Sequence, residues 1–279
     1  MTTTMTITAA DVNKLRQMTG AGMMDCKKAL TEAGGDFEKA VDELRKKGQK
    51  VAANRGDRDA KEGVVIAKTT KDNKRGLLIV VNCETDFVAK NEEFTKFVNT
   101  IADIAIEKNP TSADELKSHS YSNGLSIADK IIEQVGKIGE KIDLSKYETI
   151  EANRVIAYNH PGNRLATIVG FNKDNPKEEI IKDVAMQVAA MAPVALDKGD
   201  VDPGTLQREI EISKEQARQE GKPEEMLEKI AMGKLNKFYK ESTLLNQEFI
   251  KDNKKTVSQY LNEADKGLTV TGFKRIALS

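Results

Sequence analysis

Cys83-Glu84-Thr85-Asp86-Phe87-Val88-Ala89-Lys90-Asn91-Glu92-Glu93-Phe94 is the stretch whose reading decides the rest of the chain. An apolar run, Leu77-Leu78-Ile79-Val80-Val81, precedes it and predicts a buried strand. After it, Phe94, Phe97, Val98, Ile101, Ala102 and Ala105 recur at helical spacing and predict an amphipathic helix. An acid and a large aromatic, Asp86-Phe87, therefore sit where a strand hands over to a helix. Such junctions lie on the surface, held by the elements on either side. Two readings of Phe87 stay open at this point: it enters another molecule, or it folds back over its own helix.

Working outward, Gly63 to Thr70 is rich in β-branched residues, Lys71 to Gly76 is a turn, and Leu77 to Asn82 is the return strand. The helix that follows ends at Asn109-Pro110. The same order recurs. Val155-Ile156-Ala157 matches Val65-Ile66-Ala67, His160-Pro161-Gly162-Asn163 makes the turn, and Leu165 to Asn172 returns. A helix carrying Ile180, Ile181, Val184, Ala185, Val188 and Ala192 follows, stopped by Pro193. Ile66 to Asn82 and Ile156 to Asn172 both span 16 positions. From there to the helix the first copy takes 12 positions (Asn82 to Phe94) and the second 8 (Asn172 to Ile180). The pattern is an internal ββα repeat whose first copy carries an elaborated loop, Cys83 to Val88.

Three short amphipathic helices are expected before the first hairpin. Thr8 or Asp11 caps a helix with Val12, Leu15 and Met18 on one face; Cys26, Ala29, Leu30 and Ala33 line the second; Asp36 caps a third with Phe37, Ala40, Val41 and Leu44, ended by Gly48. Met23 and Met24 beside the glycine turn fit either the core or a soft contact surface. Gln49 to Glu62 reads as a linker. Between the two copies come a polar loop, Thr111 to Asn123, and a helix from Ser126 that breaks at Gly136-Lys137-Ile138-Gly139-Glu140, leaving Ile138 on an exposed bend. A strand from Ile142 to Ile150 follows. Asp202-Pro203 opens a charged helix, Glu220-Gly221-Lys222-Pro223 reverses the chain, and a second helix returns. The apolar stripe is narrow, which suits a projecting antiparallel coiled-coil hairpin. A short helix over Thr256 to Ala264 and an edge strand over Leu268 to Ala277 close the chain.

Composition limits the function. The chain has 279 residues, with 44 basic side chains balanced by 44 acidic ones, so nothing draws it as a whole to a phosphate backbone. It has no tryptophan on which bases could stack. Cys26 and Cys83 stand far apart, and with only His119 and His160 to join them no zinc site is expected. Both thiols read as reduced, small and buried. No membrane span and no signal segment is expected, which points to a soluble, cytoplasmic protein. Phosphate-loop and nucleophile-elbow motifs are missing. His119 reads as solvated in its loop and His160 as a surface contact. No enzyme, metal site or cofactor is expected.

Two longer motifs then carry a resemblance. Thr19-Gly20-Ala21-Gly22-Met23-Met24-Asp25-Cys26-Lys27-Lys28-Ala29-Leu30 with Gly34-Gly35-Asp36, and Cys83 to Asn91, are similar to the two signatures of the bacterial elongation factor Ts family. The order of parts agrees over nearly the whole chain, with Thr271-Gly272-Phe273 in the closing strand. The resemblance implies an α+β fold with a three-helix ubiquitin-associated-like domain over 1–48 and a linker over 49–62. A core N-subdomain over 63–145, a C-subdomain over 146–202 and 244–279, and a coiled-coil hairpin over 203–243 complete it. It implies guanine nucleotide exchange on the GTPase elongation factor Tu. Thr85, Asp86, Phe87 and Val88 would enter the GTPase and dislocate its Mg²⁺; Met23, Met24, Ile138, Gly139 and His160 would make secondary contacts. A homodimer through the hairpin is a further implied partner. Some members carry a C-terminal helical extension beyond the point where this chain stops, at Ser279. The rival expectations are a scaffold or chaperone-like binding module, and a nucleic-acid binder using Lys46, Lys47 and Lys50.

Overall fold

The structure is a computed structural model that describes residues 6–122 and 124–278. The outermost residues of the expected 1–48 and 244–279 parts, and Asn123 of the expected loop, lie outside the described residues. The chain forms two compact units: one runs through Ile66 and takes in Ile79–Tyr147, the other holds Ala67–Leu78 and Glu148–Ala277.

In the first unit, α1 (Ala9–Thr19), α2 (Met23–Glu32) and α3 (Phe37–Asn54) enclose Val12, Leu15, Cys26, Ala29, Leu30 and Ala40. Thr8 and Asp11 form a reciprocal capping box on α1, and Asp36 caps α3. Met18, expected to face inward, is exposed. Strands β1 (Glu62–Thr69) and β2 (Arg75–Cys83), whose hairpin end Ala67–Leu78 is counted with the second unit, lead through a single helical turn, α4 (Asp86–Ala89), into α5 (Glu92–Lys108). Asn91 caps α5, and all six residues of its expected apolar face are buried. Next come α6 (Ala113–Ser118), β3 (Ser120–Ser122), β4 (Leu125–Ser126), α7 (Ile127–Ile138) and β5 (Asp143–Glu151). The stretch expected as polar loop is thus partly helical, because Ser112 caps a turn that buries Leu116.

Two glycines expected to end helices do not. Gly48 lies inside α3 and Gly136 inside α7. An interior glycine costs a helix about 1 kcal/mol relative to alanine. These two stand where α3 crosses α7. A Cβ on Gly136 would lie 2.9 Å from the Gly48 Cα, and one on Gly48 would lie 2.9 Å from the Ile132 carbonyl oxygen. The missing side chains let the two backbones touch. α3 therefore runs on to Asn54, into what read as linker. α7 stops only at Gly139, whose φ of 81° ends the helix in the left-handed region.

The second unit is built on a sheet of β6 (Arg154–Asn159), β7 (Leu165–Phe171) and β10 (Val270–Ala277), with β7 in the middle and antiparallel to both neighbours. The β6–β7 hairpin repeats the turn of the β1–β2 hairpin. Thr70 accepts from the Asn73 N–H and donates to the Arg75 carbonyl; His160 accepts from Asn163 and donates to Leu165. Asn73 and Asn163 both adopt positive φ, 55° and 54°. Each corresponding pair stands 90 positions apart. Against the second sheet pack α8 (Glu178–Met191) and, later, α11 (Val257–Ala264), enclosing Val169, Phe171, Val184, Val188, Phe249 and Leu261. Between these helices come a helical hairpin, α9 (Pro203–Gln219) and α10 (Glu224–Ser242), and two short strands, β8 (Glu248–Phe249) and β9 (Asp252–Thr256).

Sequence periodicity did not foresee that α8 buries two polar residues, Asp183 and Gln187, toward the β8–β9 segment. Gln187 donates to Gln247 and to the Glu248 carbonyl. Asp183 accepts from Lys251 at 2.6 Å and from the Tyr260 hydroxyl at 3.0 Å. Burial, then the bond to Asp183, pushes the Tyr260 phenol above its ordinary range, so it stays a donor. Tyr260→Phe removes one bond to a buried carboxylate and should lower unfolding stability by about 1–2 kcal/mol in a urea titration. No change would show that the hydroxyl is dispensable to the carboxylate.

Candidate functional site

At the strand-to-helix junction two main-chain N–H groups have left the sheet and not yet joined a helix. They belong to Glu84 and Thr85. Unpaired buried N–H groups are costly, so a partner is expected. The partner is Glu140, whose Oε2 accepts the Glu84 N–H at 3.1 Å and the Thr85 N–H at 3.0 Å, while Oε1 accepts the Thr85 hydroxyl at 2.7 Å. The Glu84 carboxylate answers in the other direction. It accepts the Lys141 N–H at 2.6 Å and the Arg55 guanidinium at 2.8 Å. Two carboxylates thus cross, each binding the other's backbone segment.

Thr85 also caps α4, its hydroxyl accepting the Val88 N–H. Asp86 is paired with Lys90 at 2.6 Å, a bond that holds its carboxyl below the usual range and therefore charged at neutral pH. Phe87 is 84% exposed. The reading in which it folds back over its own helix is wrong: one turn of helix points the ring outward while Val88, half-buried, takes the inward position. Phe87, Val88, Phe94, Gln134, Lys137 and Ile138 line a groove of about 310 Å³.

The structure places the other expected residues as follows. Ile138 shares that groove, and it is half-buried at the end of α7 rather than exposed on a bend. Gly139 is the cap that turns the chain toward Glu140. Met23 and Met24 are 53% and 73% exposed at the start of α2, whose inward face begins at Cys26, one turn on. All of these lie in the first unit. His160 belongs to the second, exposed at its turn, with Nδ1 3.0 Å from the Tyr158 hydroxyl. His119 is not solvated as expected: it is half-buried at the end of α6, and its Nε2 is shielded from water with no hydrogen-bond partner among the described residues. Cys83 donates to the Thr85 carbonyl, and burial pushes its thiol up to about 12, which removes it as a nucleophile. Lys46 and Lys47, expected as a basic face, pair with Glu43 and Asp25. Among the described residues no helix is long and apolar enough to cross a membrane.

The residues that sequence reasoning missed are Glu140, Arg55 and Lys141. Each acts over 29 to 57 positions, and no local pattern reports such a pairing.

Comparison with known proteins bears directly on this site. The family model described as elongation factor TS matches residues 84–279. Elongation factor Ts of Cytophaga hutchinsonii is 54% identical over 276 residues, covering 98% of this chain and 99% of the relative. That of Christiangramia forsetii is 54% identical over 273 residues, 98% of each. That of Porphyromonas gingivalis is 48% identical over 275 residues, 99% of each. The chain belongs to the elongation factor Ts family. It is accordingly a guanine nucleotide exchange factor for elongation factor Tu in translation elongation.

Hydrogen bonding by the Lys141 N–H, then by Arg55, depresses the Glu84 pKa below its ordinary value near 4.5. A depressed carboxylate stabilises the fold above that value and loses its contribution as pH falls through the lowered one. Stability measured by denaturant between neutral pH and the acid side of 4.5 should fall less steeply in Glu84→Gln than in the parent. Equal slopes would mean that the crossed carboxylates add nothing.

Proposed function

We propose that Thr85, Asp86, Phe87 and Val88 form a wedge that enters elongation factor Tu and dislocates the Mg²⁺ at its nucleotide site. The observation that carries this reading is an aromatic ring held almost fully in solvent on a turn whose backbone is bonded on both sides. An exposed ring so fixed has lost little further freedom to give up on docking, which is what preorganisation contributes to binding. GDP leaves a GTPase slowly because Mg²⁺ and backbone amides neutralise its phosphates. A wedge that binds the nucleotide-free shape more tightly than the loaded one shifts that balance by its differential affinity. Burying one phenyl side chain is worth about 1.5–3 kcal/mol, and each ~1.4 kcal/mol is tenfold in rate. A single ring is therefore enough to accelerate release ten- to a hundredfold.

Met23, Met24, Ile138, Gly139 and His160 are the secondary contacts in this proposal. Exposure of both methionines and of His160 supports them. The α9–α10 hairpin, with Ser213, Ala217, Leu227, Ala231 and Leu235 buried along one narrow seam, supports the coiled-coil reading and its use as a dimer arm. The division into a three-helix domain, two core subdomains and an arm stands as part of the same proposal.

Phe87→Ala removes a side chain that touches little of its own fold, so stability should change by less than about 0.5 kcal/mol. Release of labelled GDP from elongation factor Tu, followed by stopped-flow fluorescence, should slow at least about tenfold. An unchanged release rate would sink the wedge and leave a scaffold that binds without exchanging.

A further inference from the structure

The glycine contact between α3 and α7 joins three things that sequence reading kept apart. Gly48 seats the three-helix unit on α7, backbone against backbone, at Gly136. One residue on, Lys137 reaches Glu93 at the start of α5 at 2.9 Å, and its Nζ stands against Gly20 in the turn that precedes Met23. Two residues further, Gly139 turns the chain so that Glu140 binds the backbone of Glu84 and Thr85. The loop is closed from the other side. Arg55, which caps α3, holds the Glu84 carboxylate, and the Lys141 ammonium donates to the carbonyls of Gly56 at 2.6 Å and Arg58 at 3.1 Å. The segment that follows α3, read from its composition as a linker, is pinned at Gly56 and Arg58.

We propose that Gly136–Glu140 is a positioning strut for nucleotide exchange, fixing the three-helix unit and the Thr85–Val88 turn in one frame so that Met23-Met24 and Phe87 meet the partner GTPase together. The proposal rests on the wedge reading above and adds to it the residues that aim the wedge. None of Gly48, Gly136 and Glu140 need touch the partner. Gly48 and Gly136 act by having no side chain; Glu140 acts through main-chain N–H groups. A wedge aimed in advance delivers its binding energy to nucleotide displacement instead of to its own ordering.

Glutamine separates positioning from charge at residue 140. Its carbonyl oxygen can accept both N–H groups, and its amide can donate to the Thr85 hydroxyl, which still has a lone pair free beside the Val88 N–H. Alanine can do neither. The chain has no tryptophan, so Phe87→Trp provides a sole tryptophan on the turn itself, excited selectively over the tyrosines.

The test uses the full-length chain and elongation factor Tu loaded with labelled GDP, with folding of every variant checked by circular dichroism. Glu140→Ala is expected to lower the maximal exchange rate at least about fivefold, with the half-saturating concentration changed less than about twofold. Glu140→Gln should return the maximal rate to within about twofold of the parent. In the Phe87→Trp background, Glu140→Ala should lower the steady-state anisotropy of the free protein and Glu140→Gln should not. Gly136→Ala should slow exchange in the parent and add little once Met23 and Met24 are both alanine. If Phe87→Ala slows release but Glu140→Ala and Gly136→Ala leave both rate and anisotropy unchanged, the strut is overturned and the wedge stands. Should Glu140→Gln be as slow as Glu140→Ala, the residue acts by its charge and positioning is likewise overturned. A Phe87→Ala variant that releases GDP at the parent rate removes the wedge itself.

Discussion

Every strand that becomes a helix passes through residues whose N–H groups belong to neither, and at Glu84 and Thr85 a distant carboxylate takes them both. That single constraint orders the surroundings. Glu140 must sit within hydrogen-bond reach, so α7 must end where it does, and Gly139 must turn left-handed to deliver it. α7 in turn needs a face free of side chains, because α3 lies on it at Gly48. Charge reinforces the arrangement without dominating it. Half of the bonds to the two carboxylates come from main-chain amides, and such charge-assisted bonds are stronger than neutral ones and need no second flexible side chain to be held still.

What the sequence made legible, and what it hid, follows from range. The apolar face of α5 was readable in full because six residues at helical spacing admit one orientation. The two hairpins were readable because their turns repeat, down to a left-handed asparagine in each. Phe87 was readable as an oddity, a large aromatic outside both periods, but its direction was not. Gly48 and Gly136 were misread for a sound local reason: a glycine after a run of helix formers normally ends the helix, and only the neighbouring helix explains its staying inside. The short helix α6 was taken for loop because a single turn shows no periodicity. Asp183 and Gln187 look like surface residues of an amphipathic helix until the β8–β9 segment is laid against them.

The doubled ββα pattern also separates the residues that build the core from those that leave it. In the second copy the chain passes from Phe171 into α8 with its strand residues buried in a sheet core. In the first, the additional residues form α4 and lift one ring out of the fold. The inserted turn adds almost nothing to the hydrophobic core, since none of its residues is buried. Its geometry is instead carried by bonds to α7 and α3, elements whose own packing does not depend on the ring. The fold therefore tolerates change at the tip, while the geometry of the turn is sensitive to change at its supports.

The helical hairpin of the second unit is put together on a different principle. Three of the five residues buried along it are serine or alanine, too small to grip as leucine does. Across the seam Lys214 meets Glu228, Arg218 meets Glu224 and Lys234 meets Glu220. Exposed ion pairs are screened by added electrolyte, whereas apolar burial is not. The hairpin's stiffness therefore depends on the surrounding ionic strength: dilute solution keeps it zipped, and brine loosens its tip.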